Sequence, residues 1–103
     1  MPIYNKLVRD RIPEIIIKAG KEPITSVLTD EEYIKMLDEK LNEECAEYQA
    51  DKNIEELADI LEVIFAITKA RGYSLNELER IRAEKADKRG GFEQKIFLKE
   101  VID

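Results

Sequence analysis

The stretch from Asn53 to Arg71 limits the possible folds more than any other part of this 103-residue chain. Wound as a helix at about 100° per residue, it is apolar over most of its circumference. Ile54, Leu57, Ile60, Leu61, Val63, Ile64, Phe65 and Ile67 cover it, and only Glu55, Glu62 and Lys69 form a wet stripe. An apolar surface that wide needs cover on more than one side. Part of the cover lies just upstream. Thr29-Asp30-Glu31-Glu32 is a capping-box signature. It opens a helix expected from about Asp30 to Ala50, and the tight turn around Asp51-Lys52-Asn53 makes the two helices antiparallel neighbours. A chain of this length supplies too little further cover, so the expectation is a helical bundle completed by oligomerisation, as a homodimer or homotetramer.

The flanks are shorter elements. Residues 1–12 read as an extended or irregular arm. Pro13 suits the first position of a short helix that Gly20 ends. Ile24 to Leu28 looks like a short strand after a proline. Ser74-Leu75-Asn76-Glu77 is a second capping box opening a third helix to about Asp87. Gly90-Gly91 breaks it, and Phe92 to Val101 reads as a terminal strand able to pair with residues 24–28. The fold expected is therefore mainly all-α: two long antiparallel helices plus a third, with a short terminal β-ribbon, in one domain spanning 1–103.

Two carboxylates break the apolar pattern. On the first long helix Tyr33, Ile34, Leu37, Leu41 and Tyr48 share an arc with Glu44 at its middle; on the second, Ile60, Val63 and Ile67 bracket Glu56. Glu47 and Asp59 follow three residues later at the rims of the arcs. A Glu on a helix is by itself ordinary, since Glu forms helices well and solvates their faces. Glu56 also stands three residues after Asn53, where a capping-box Glu belongs. Capping does not account for Glu44. A carboxylate aimed at an apolar interior must be neutralised, paired or bound to a cation. Two facing i, i+3 acidic pairs form a set of oxygen ligands suited to Mg²⁺, with Mn²⁺ as an alternative.

The remaining composition narrows the chemistry. With no His, acid–base work falls to carboxylates, Lys, Arg or Tyr. A net charge of −6 argues against a nucleic-acid polymer as partner but leaves room for a small polyanion bridged by cations. The single Cys45 permits no internal disulfide and fits a reducing compartment. No apolar run approaches the ~18 residues of a membrane span and no leader pattern opens the chain, so a cytoplasmic location is expected, away from membranes. Lys85, Lys88, Arg89 and the Gly90-Gly91 backbone could clamp a phosphate, although bases and Gly at a helix end are ordinary dipole and capping features. Lys6 and Arg9 of the arm could add positive charge near an anion, and Lys40, one turn before Glu44, could pair with it or meet phosphate.

Three separated segments resemble one family. Glu43-Glu44-xx-Glu47 followed by Glu56-xx-Asp59 is similar to the signature of the all-α nucleoside triphosphate pyrophosphohydrolases, the MazG-like superfamily. Tyr4-Asn5-Lys6-Leu7-Val8-Arg9-Asp10-Arg11-Ile12-Pro13 and Lys88-Arg89-Gly90-Gly91-Phe92 resemble its small members described as phosphoribosyl-ATP pyrophosphohydrolase-like. The resemblance implies a helical bundle whose acids hold Mg²⁺ against a nucleotide's phosphates. By position it implies Glu44, Glu47, Glu56 and Asp59 as metal ligands, and Glu43, Glu44 and Glu47 as the catalytic acids. Lys85, Lys88 and Arg89, with Lys6, Arg9 and Lys40, would meet substrate. The eight residues between Glu47 and Glu56 are a shorter spacer than is typical of MazG itself, so the resemblance names no base. A non-catalytic interaction module and a pyrophosphohydrolase acting on a phosphoribosyl nucleotide are the alternative readings.

Overall fold

The computed structural model describes residues 3–103; Met1 and Pro2, the start of the expected arm, lie outside the described residues. The chain is all-helical, with α1 at Ile12–Lys18, α2 at Asp30–Asp51, α3 at Ile54–Ala70 and α4 at Leu75–Arg89. The caps written in the sequence form as read. Glu32 N donates to Thr29 Oγ1 at 3.2 Å while Thr29 N donates to Glu32 Oε1 at 3.0 Å. Ser74 and Glu77 repeat that reciprocal pair at the start of α4. Asn53 Oδ1 caps α3 by accepting from Glu56 N at 3.0 Å.

Two residues reverse the chain between the long helices. Lys52 takes the left-handed conformation at φ 57°, satisfies the end of α2 through Lys52 N to Tyr48 O, and Asn53 starts α3. The connection is short, so α2 and α3 form an antiparallel hairpin, which is the main helix packing of the molecule. Leu37 at 3% exposure and Val63 at 8% are its buried apolar centre. At the end away from the turn Arg71 Nη2 donates to Asp38 Oδ2 at 2.9 Å and ties the helices together. Gly72, at φ 91°, closes α3 as Tyr73 N donates back to Thr68 O, and α4 then packs on α3 alone. Leu78 of α4 is half-buried against this seam, and every residue from Glu79 onward is exposed.

The strands expected at 24–28 and 92–101 do not form; no strand occurs among the described residues. Ile24 and Val27 are 91% and 97% exposed, and Ile96, Phe97 and Leu98 are equally open. β-branched residues favour extended backbone, but a ladder needs a partner strand, and the fold brings none alongside either segment. Both lack a ladder, and residues 92–95 make a turn instead, in which Lys95 N donates to Phe92 O at 3.1 Å and Lys95 takes φ 59°. No helix among the described residues is long and apolar enough to cross a membrane.

Candidate metal centre

The hairpin turn decides where the acids meet. Because the chain reverses at Lys52–Asn53, positions on α2 face positions on α3 at a similar distance from the turn, which sets the Glu44/Glu47 pair against Glu56/Asp59. One carboxylate oxygen from each of these four residues lies within 4.8 Å of the other three. Opposite ligands of an octahedral Mg²⁺ stand about 4.2 Å apart, so small side-chain adjustments bring the four into coordination range.

Two of the four carboxylates each keep one buried oxygen without a partner. Glu44 is only 7% exposed, and its Oε2 is buried with no hydrogen-bond partner. Glu56 Oε2 is likewise buried and unpartnered. Burial is the main cause pushing the Glu44 carboxyl above its ordinary value, followed by a carboxyl–carboxylate hydrogen bond to Glu47 and repulsion from it; Lys40 pulls in the opposite direction. Burial also raises Glu56, with repulsion from Asp51 and Asp59 next. An orphaned, desolvated oxygen in a nest of like charge is unfavourable unless a cation meets it. Oxygen-only donors of this kind suit a hard cation, so the four acids fit a metal ion of that class.

The cap of α3 separates the two readings of Glu56. Glu32 and Glu77 each turn the carboxylate back onto their N-cap amide, whereas Glu56 gives the cap only its backbone N–H. Its side chain is freed from capping and joins the acid cluster.

The basic residues divide. Lys40 Nζ stands 3.6 Å from Glu43 Oε1 and 3.5 Å from Glu44 Oε1, with its side chain 16% exposed. From the arm, Lys6 Nζ reaches Glu43 Oε1 at 3.6 Å and Arg9 Nη2 reaches Asp59 Oδ1 at 2.6 Å. The arm therefore lies across the acids of its own chain. Lys85, Lys88 and Arg89 sit in the exposed last turns of α4, paired with no acid of the cluster, and one chain alone does not bring them to it. The sequence reading missed Asp51, whose charge bears on Glu56 from the end of α2. It also missed the pairing of Arg9 with Asp59, because nothing local to the arm encodes which of several acids it will meet.

No protein-family model matches the chain, and neither does a solved structure. An uncharacterized protein of Mycolicibacterium smegmatis is 53% identical over 45 residues, covering 44% of this chain and 46% of that protein. The alignment thus spans less than half of the relative's length.

Proposed function

We propose that this chain is a Mg²⁺-dependent nucleoside triphosphate pyrophosphohydrolase of the MazG-like superfamily, converting an NTP or dNTP and water into the monophosphate and pyrophosphate. The observation that carries the reading is the pair of buried, unpartnered oxygens, Glu44 Oε2 and Glu56 Oε2, inside a four-carboxylate site. Glu44, Glu47, Glu56 and Asp59 would hold the cation. When bound, it supplies positive charge against the triphosphate and acidifies a coordinated water. Glu43, placed between Lys6 and Lys40, orients the water that attacks the α-phosphorus. The α–β bridging oxygen leaves with pyrophosphate, and the water's proton passes to the acid cluster. Lys6, Arg9 and Lys40 offset charge on the departing phosphates.

The reading includes a homodimer or homotetramer, and the surface supports it. A compact chain of 12.0 kDa exposes about 6,000 Å² by the usual scaling. This one exposes 9602 Å², with a radius of gyration of 18.3 Å against about 13 Å for a compact domain of its length. A single chain this open leaves more surface than the one-sided share of a standard interface, as a protomer that is completed by other copies does. Ile54, Leu57 and Leu61, on the face of α3 turned away from α2, are part of it. In sedimentation equilibrium the expected mass is two or four chains, and a monomer at micromolar concentration would overturn this part of the proposal. A partner copy is also what could bring Lys85, Lys88 and Arg89 to a cluster.

The activity is tested by pyrophosphate release from canonical and modified NTPs and dNTPs, with Mg²⁺ and with EDTA. Metal-dependent release together with the monophosphate is the expected result. Release from a phosphoribosyl nucleotide alone would move the substrate class, and no release with folded, metal-supplied protein would favour a non-catalytic module.

A further inference from the structure

We propose that the segment preceding α1 is a cationic strap that closes the metal centre through Arg9 and Lys6 and is displaced when a divalent cation binds. The inference rests on the metal reading above and names a regulation of that site. Asp59 has two claims on it: it is one of the four clustered acids, and its Oδ1 accepts from Arg9 Nη2 at 2.6 Å. Lys6 makes the corresponding contact with Glu43 beside the cluster at 3.6 Å. The five acids Glu43, Glu44, Glu47, Glu56 and Asp59 face three cations, Lys6, Arg9 and Lys40. Two of those three belong to the strap, so much of the charge balance of the metal-free site comes from a segment that can move.

The strap is held weakly enough to leave. Both of its ion pairs are about half exposed, the Arg9 pair at 57% and 40%, and pairs of that kind contribute little net stability. Tyr4 is 68% exposed, and α1 has no buried residue and packs on no other helix. A dication among the same carboxylates repels the guanidinium and offers Asp59 a stronger partner. Displacement then frees Arg9 and Lys6 to meet an incoming polyanion, so that metal binding and exposure of the phosphate-binding cations become one event. Coupling of this sort is reciprocal: the factor by which the docked strap weakens metal binding is the factor by which metal loosens the strap.

The test measures Mn²⁺ affinity by isothermal titration calorimetry for the full chain and its Arg9→Gln variant. Alongside it, limited trypsin digestion of the unmodified chain at Lys6 and Arg9 is followed with and without Mn²⁺. The expected results are an Mn²⁺ Kd about threefold to fivefold lower in Arg9→Gln, and strap cleavage accelerated by Mn²⁺ by a similar factor. Binding in the variant alone would also support the strap, as one that closes the site fully. An unchanged or higher Kd in the variant, or cleavage slowed by Mn²⁺, would overturn the strap while leaving the metal site intact; this is the outcome expected if Arg9 is a fixed outer partner of the centre. Absence of Mn²⁺ binding in both proteins would overturn the metal reading and the strap with it.

Discussion

Glu44→Gln is expected to abolish metal-dependent pyrophosphate release, and Asp59→Asn to do the same. Loss of an outer partner of a metal site costs roughly 10- to 100-fold in affinity or activity, and loss of a ligand carboxylate should exceed that. The two variants separate function from folding in different ways. Gln at 44 keeps the shape of the side chain and removes an ionisable group from a position only 7% exposed. The metal-free variant should therefore unfold at the same temperature as the parent chain or higher, because a neutral isostere escapes the desolvation penalty. Asn at 59 loses the contact with Arg9, which is largely exposed and contributes little to stability. Circular dichroism in EDTA would establish that both variants are folded. Turnover retained by either one, under conditions where the parent is active, would remove these four acids from the mechanism.

The second large effect is thermal. A ligand that binds only the native chain stabilises it by about 2.7 kcal/mol at a hundredfold excess over Kd. For a domain of this size each kcal/mol raises Tm by roughly 4–8 °C, so Mg²⁺ or Mn²⁺ should raise it by about 10–20 °C. EDTA should reverse the shift, and Glu44→Gln should show little of it.

The pH dependence gives the same experiment a sign. Glu44 and Glu56 have carboxyl groups raised above the ordinary 4.5, so the native chain holds more protons than the unfolded chain just above that pH. Their contribution is fully present below 4.5 and is lost as pH rises through the raised values. Glu32 and Glu79 act oppositely. Hydrogen bonds from Thr29 and from Arg82 lower them, so their contribution is lost as pH falls through the lowered values. Metal-free Tm should thus decline above pH 4.5, and Glu44→Gln should flatten the decline. A Tm insensitive to metal at every pH would count against the site.

Much of this was legible in the sequence because the relevant signals are local. The capping boxes at Thr29 and Ser74, the turn at Lys52–Asn53 and the carboxylates interrupting apolar arcs each depend on neighbours a few residues away. Helix periodicity then converts spacing into direction, which is how the sequence alone places Glu44 and Glu56 in one cluster. Reading failed where the answer depended on distant chain. The β-branched run at 24–28 has strand propensity but no partner, and Phe92 to Val101 has nothing to pair with for the same reason. The arm's charge was visible, but its docking on Asp59, 50 residues away, was not. Glu56 was ambiguous in sequence because the N3 position of a cap and a site facing the neighbouring helix coincide there. Only the orientation of the side chain separates them.

The two-residue turn between α2 and α3 also bears on when the site comes into being. All four clustered acids fall between positions 44 and 59, and eight residues separate the inner pair, Glu47 and Glu56. Loops of about that length close in roughly 10–100 ns, at small entropic cost compared with contacts between distant segments. The donor set is therefore complete as soon as one helical hairpin zips, before a second chain is met. On the proposed reading, metal capture would then belong to the folding of one protomer, and any assembly would inherit a donor set that is already in place.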